Sequence, residues 1–269
     1  MVTQAGLGSA RVSSAQLADI LPLVDDEQWE LPSACGGWRV IDVIAHLAAL
    51  AHEAVEPPAP APDSSLPKNR ERYHDLRVDE RRGWSHAQVI DEWRRFTPLQ
   101  LEGLKAGQDQ PRADEPVVVA GLGTYPRHLL ANTMAFNVLC HLRYDMLAPG
   151  GPLPFPVPEP ADELVAPAVE FMLAGIPQMQ GHDLDATVTQ PLVLEFTGPG
   201  AMIVTVHPVA GRPDGRLAVT PGADGDIRIR SAATDFILWG TTRKPWRDYC
   251  EITGDAASAE PFLDRLNIV

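Results

Sequence analysis

His46, His141 and Asp145 are the side chains of this chain best suited to chemistry from buried positions. His46 lies in GGWRVIDVIAHLAALAHEA, residues 36–54. His141 and Asp145 lie in PRHLLANTMAFNVLCHLRYDML, residues 126–147. Both stretches are apolar nearly all round at helical period, which predicts two buried helices. A buried polar group without a partner costs about 1–3 kcal/mol. Asp42, His46, Asn137, His141 and Asp145 therefore require one another, water, a metal or a substrate.

Asn137, His141 and Asp145 are spaced i, i+4, i+8, on one helical stripe with Met134. Two side chains four apart can share one ion, as in HExxH. Asn137 is a weak, neutral ligand beside Glu or His, and His46 from the other helix would supply a third donor. A ligating histidine hands its second N–H to a carboxylate, here Asp42 or Asp145. Without an ion, His46, His141 and Asp145 remain candidates for proton transfer. The bland reading of a lone buried histidine is a satisfied core residue, and spacing does not separate the two. Cys140 adjoins His141, but helical neighbours point about 100° apart, so it reads as a core hydrophobe. Cys35 precedes a helix N-terminus, where a thiolate is stabilised, yet reads first as a turn residue. His52, His74, His86, His128, His182 and His207 show no convergent spacing. Arg143 and Tyr144 face a pocket or an interdomain surface. Arg127 and Arg243 offer the bidentate fork that a carboxylate on a thiol cofactor would take.

The elements that position these residues follow from pattern. Ser13 or Ser14 caps a first helix after a loose start, and Ser85 caps another over about His86–Leu104. PPAPAPDSSLP at 57–67 is a loop, and KNRERYHDLRVDERRG at 68–83 reads as a solvated charged stretch. Residues 105–124 read as a loop with a short apolar run, and Pro126 opens the second organising helix. PLPFPVPEP at 152–160 reads as a linker between domains 1–151 and 161–269. Beyond it, Ala161–Met179 is helical. Short strands follow at Ala186–Gln190, Leu192–Phe196, Met202–His207, Arg216–Thr220 and Ile227–Arg230, then helices at Ala232–Gly240 and Ala259–Leu266. The N-terminal half is helical and the C-terminal half α+β.

Composition narrows the partners. A formal net charge of −14 over 269 residues argues against nucleic acid and anionic membranes. No apolar run reaches the roughly 18 residues of a membrane span. Three widely spaced cysteines write neither a disulfide framework nor a CxxC site. No secretory signal is seen, so a soluble cytoplasmic protein is expected, monomer or homodimer, acting on a small molecule.

GWRVIDVIAHLA, FNVLCHLRYDML, and DFILWGTTRKPW followed by ITGD together resemble the mycothiol-dependent maleylpyruvate isomerase family. The resemblance implies a DinB-like four-helix bundle joined to a sterol-carrier-protein-like α/β domain, an α+β protein overall. It also implies a divalent ion, usually zinc, on a histidine of the second bundle helix and a Glu-x-x-x-His pair of the last. Those positions are His46, Asn137 and His141, so Asn137 stands where the family keeps a carboxylate. In the family the ion lowers the pKa of the cofactor thiol, which adds to or opens a small electrophile. The resemblance implies an isomerase or thiol transferase using mycothiol. The alternatives are a metal-independent cyclase or isomerase of secondary metabolism in the same pocket, and a noncatalytic hydrophobic-ligand binder.

Overall fold

Helical periodicity builds the first of two units in the computed structural model, which describes residues 4–58, 70–180, 182–209 and 217–268. That unit comprises residues 1–116 and 126–159. It holds α1 (Ala5–Ile20), α2 (Asp26–Trp29), α3 (Val40–Val55), α4 (Arg70–Asp79), α5 (His86–Lys105) and α6 (Leu129–Cys140). A π-helical turn, His141–Met146, continues α6. Helix α3 packs on α5, α1 on α6, and α4 on α3. The shared core includes Leu17, Val43, Ile44, Trp93, Leu142 and Met146. The apolar fraction of α3 explains its burial, since Val40–Ala49 is buried without a break.

Several elements differ from the sequence reading. α1 begins at Ala5, so Ser13 and Ser14 are buried inside it rather than capping it. Ser85 does cap α5, accepting from the Gln88 N–H. α6 begins at Leu129, and Pro126 ends a strand instead. The charged stretch at 68–83 contains helix α4, whose charges are paired rather than solvated. Tyr73 Oη donates to both Glu53 oxygens, at 2.9 and 3.0 Å. Arg81 is buried and grips Glu92 through two bonds of 2.6 and 2.8 Å. Most of the proline-rich loop at 57–67 lies outside the described residues.

Behind the π turn the chain passes so close that only glycine fits. A Cβ on Gly151 would lie 2.3 Å from the Met146 carbonyl carbon and 2.4 Å from the Asp145 oxygen. Those atoms are backbone and cannot swing aside. Gly151→Ala is expected to cost about 1–3 kcal/mol and to disturb the Asp145 side chain, measured by denaturant unfolding of the two proteins.

The second unit holds residues 117–125 and 160–269. Residues 117–125 are the hairpin of β1 (Pro116–Val119) and β2 (Gly123–Pro126) without its two end prolines, where a loop was expected. Tyr125 on this hairpin packs on Phe171 of α7 (Asp162–Gly175), ring centroids 5.9 Å apart. After the short α8 (His182–Asp185) come β3 (Leu192–Thr197), β4 (Met202–His207), β5 (Ala218–Pro221) and β6 (Ile227–Ala232). Then come α9 (Ala233–Gly240), β7 (Glu251–Thr253) and α10 (Ala256–Arg265). The sheet order is β5-β4-β3-β6-β7, with β3 and β6 parallel and the other pairs antiparallel. No strand forms at Ala186–Gln190, and Arg216 lies outside the described residues. Phe236 of α9 stacks on Phe196 of β3 at 4.6 Å and meets Trp239 at 4.8 Å, which ties that helix to the sheet. Helices and sheet together make the chain an α+β protein.

Candidate active site

The site's central pair lies on the π turn. A π turn closes i→i+5 bonds, as Leu147 N–H to the Leu142 carbonyl does here at 3.1 Å. His141 and Asp145, four residues apart, fall on one face of it, as such pairs also do in an α-helix. His141 Nδ1 thus lies 2.7 Å from Asp145 Oδ2, with Asp145 fully buried. With the carboxylate ionised, this geometry assigns the proton to Nδ1 and the lone pair to Nε2.

Three other elements converge on that pair. His46 of α3 is 3% exposed, and its ring centroid lies 5.0 Å from that of His141, edge to face. His74 of α4 meets the other side of His46 at 4.5 Å. Trp38 lies 5.2 Å from His46 and 6.4 Å from His141, and its Nε1 donates to Asp75 at 2.9 Å. Cys35 Sγ sits 3.7 Å from His141 Nδ1.

A tight loop delivers Cys35 and Trp38. Pro32 and Arg39 bridge its two ends. Ser33 Oγ accepts the Cys35 N–H at 3.2 Å and donates to the Trp38 carbonyl at 2.9 Å. Gly37 takes φ 81°, a conformation that favours glycine. The Ala34 N–H reaches the Asp145 carbonyl at 3.0 Å, so the loop is bonded directly to the π turn.

The remaining candidates fall elsewhere. Asp42 does not orient His46. It accepts the Arg39 N–H at 2.9 Å and binds the Arg39 guanidinium at 2.9 and 3.1 Å. Burial opposes its ionisation, but the Arg39 contacts outweigh that and leave its pKa below the usual carboxylate value. Asn137 is half-buried, one turn before His141. Arg143 donates to Gln16 Oε1 at 3.1 Å and to the Pro158 carbonyl. Arg127 pairs with Glu115 at 2.9 Å. Cys140 is buried in α6. His52 stacks on Phe96 and bonds Glu92 at 2.7 Å. Arg243 follows α9 in the second unit. There, burial pushes the Cys250 thiol up to about 12, away from thiolate character. His74 is the residue that sequence reasoning missed. Its signal was the His74–Val78 spacing of four, which puts His74 on the same face as the one buried apolar residue of an otherwise charged helix.

Fold and site define a two-unit α+β chain with a histidine-centred cluster of side chains in a helical bundle. Residues 10–143, half of the chain, match the family model described as the mycothiol maleylpyruvate isomerase N-terminal domain. The chain belongs to the mycothiol maleylpyruvate isomerase family, a family of enzymes. A crystal structure of the mycothiol-dependent maleylpyruvate isomerase is similar in fold, with TM-score 0.54 and 17% identity, covering 92% of this chain and 91% of that one. A histidine-to-alanine mutant of that enzyme gives TM-score 0.52 and 16% identity over the same shares. No curated protein matches. Among the described residues no helix is long and apolar enough to cross a membrane.

Proposed function

We propose that this chain uses mycothiol to isomerise a small electrophilic substrate, or to transfer the thiol to it, in the bundle pocket around His141. The observation that carries this reading is the meeting of His46 and His141 beside a buried Asp145, in a bundle of this family. A thiolate, when bound, adds to an electrophilic double bond, which becomes a single bond free to rotate before elimination restores it.

The chain's own groups would serve that chemistry in distinct ways. Asp145 holds the His141 ring and fixes its tautomer through Nδ1. Nε2 is then the atom that accepts a proton from an incoming thiol and returns one to the substrate carbon. His46, packed between His74 and His141, fixes the direction of the pocket wall. Trp38 covers both rings and limits water.

The family's divalent ion fits the residues present, but not through Asn137. His46, Asn137 and His141 provide two imidazoles and a neutral amide, with no anionic donor. The anions come from neighbours: Cys35 Sγ, a His141 nitrogen and an Asp145 oxygen lie within 4.8 Å of one another. A bound ion would acidify a coordinated thiol.

A second reading is a metal-independent isomerase or cyclase that relies on His141 and Asp145 alone. The bond already made between them, together with Asn137, favours it. The two readings separate in one assay. Purified protein is mixed with maleylpyruvate, with and without mycothiol, and loss of the conjugated substrate is followed. Thiol-dependent turnover is expected. Equal rates without thiol would overturn the first reading and leave the second.

A further inference from the structure

We infer that Cys35 is a metal ligand that replaces the missing carboxylate, so that a thiophilic divalent ion sits on the Nδ1 edge of His141 among Cys35, His141 and Asp145. This rests on the reading of the chain as a thiol-dependent enzyme of its family, and moves the ion away from the Asn137 side.

Distances carry the inference. Zinc binds sulfur at about 2.3 Å and imidazole nitrogen at about 2.0–2.1 Å, so tetrahedral S and N donors lie roughly 3.5 Å apart. Cys35 Sγ and His141 Nδ1 are 3.7 Å apart. The matching N···O separation is about 3.3 Å. His141 Nδ1 and Asp145 Oδ2 are at 2.7 Å, the length of a hydrogen bond whose proton an ion would displace. The Asp145 oxygen would withdraw from Nδ1 by about half an ångström, and it lies within 4.8 Å of Cys35 Sγ. Cys35 is also positioned rather than incidental, since its loop is bonded to the Asp145 backbone through Ala34.

Loading balances simply. The Cys35 thiol proton leaves to solvent, and the imidazole proton moves from Nδ1 to Nε2, which frees the Nδ1 lone pair; with the ion bound Nε2–H is a donor only, and an incoming thiol gives its own proton to solvent on coordination. One thiolate and one carboxylate then neutralise the dication. A mixed S, N, O set of this kind favours zinc or cobalt over magnesium or manganese. Three protein ligands leave a position open for an incoming thiol, the arrangement of a catalytic rather than a structural site.

The test is cobalt(II) titration into the untagged full chain, read by absorption. Wild type and the control Cys250→Ser are expected to take up one equivalent with an intense near-ultraviolet thiolate-to-cobalt band. Cys35→Ser is expected to lose the band and bind at least about 10–100-fold more weakly. Because the variant can misfold, the wild type is also alkylated with iodoacetamide with and without zinc. Zinc should protect Cys35, read by peptide mass. Stoichiometric cobalt without the band, a band that survives in Cys35→Ser, or Cys35 alkylated equally with and without zinc would overturn the inference while leaving thiol-dependent turnover standing. No uptake of cobalt or zinc by the wild type would overturn it as well, and turnover of that metal-free protein with mycothiol then decides the broader reading separately.

Discussion

Turnover in His141→Ala falls by roughly 10²–10⁴-fold, the range general acid–base catalysis supplies, while the bundle stays folded. Among the described residues, Asp145, Cys35 and His46 all meet at His141. Its loss removes the proton-carrying Nε2 and the nitrogen any ion would use. The fold tolerates the change because the surrounding core rests on Ile44, Leu142 and Met146, not on the imidazole. Asp145→Asn keeps the shape but disturbs the tautomer, and its expected loss is smaller, roughly 10–100-fold. Initial rates with circular dichroism on each protein check both values. A His141→Ala variant that keeps more than half its activity contradicts the assignment.

Glu92→Ala lowers the stability of the first unit by about 3–5 kcal/mol, because it leaves the buried Arg81 guanidinium with only the Arg77 carbonyl and a longer, 3.7 Å contact to Glu80. Arg81 donates to Glu92 through two bonds and His52 adds a third, with both partners under a tenth exposed. A loss of that size lowers the melting midpoint by roughly 6–20 °C. Replacing both partners, Arg81→Met with Glu92→Leu, is expected to be near neutral, since no charge is then left alone. The same network fixes α4 and so His74 against α3. It also sets an acid limit. Burial opposes ionisation of Glu92, but the Arg81 and His52 bonds outweigh it, so its pKa in the folded protein lies below the usual 4.5. A depressed carboxylate pKa stabilises the fold above the unfolded value, and that contribution is lost as pH falls through the folded one. Asp42 acts in the same direction, below its ordinary 3.8. Unfolding free energy measured between pH 7 and pH 3 should therefore fall on acidification, less steeply in Glu92→Gln.

What was legible in the sequence follows period and capping. The apolar runs around His46 and His141 gave two buried helices, and Ser85 with Gln88 gave the start of α5. The missed parts depend on contacts distant in sequence. The stretch at 68–83 reads as solvated because Arg77 and the buried Arg81 find their partners Glu53 and Glu92 on other helices. The π turn has no local signature. It goes with the close approach of Gly151 to the Met146 and Asp145 backbone, five or six residues on. Cys35 reads as a turn residue because the bond that brings it to the site, Ala34 to Asp145, spans most of the first unit.

The most direct test of the site is calorimetric binding of mycothiol to the wild type and to His141→Ala. Saturable binding to the wild type, weakened at least about tenfold in the variant, is the predicted result, since a lost charge-assisted contact is worth about 1.5–3 kcal/mol. Equal affinity for both proteins would contradict the claim that the His141 centre receives the thiol.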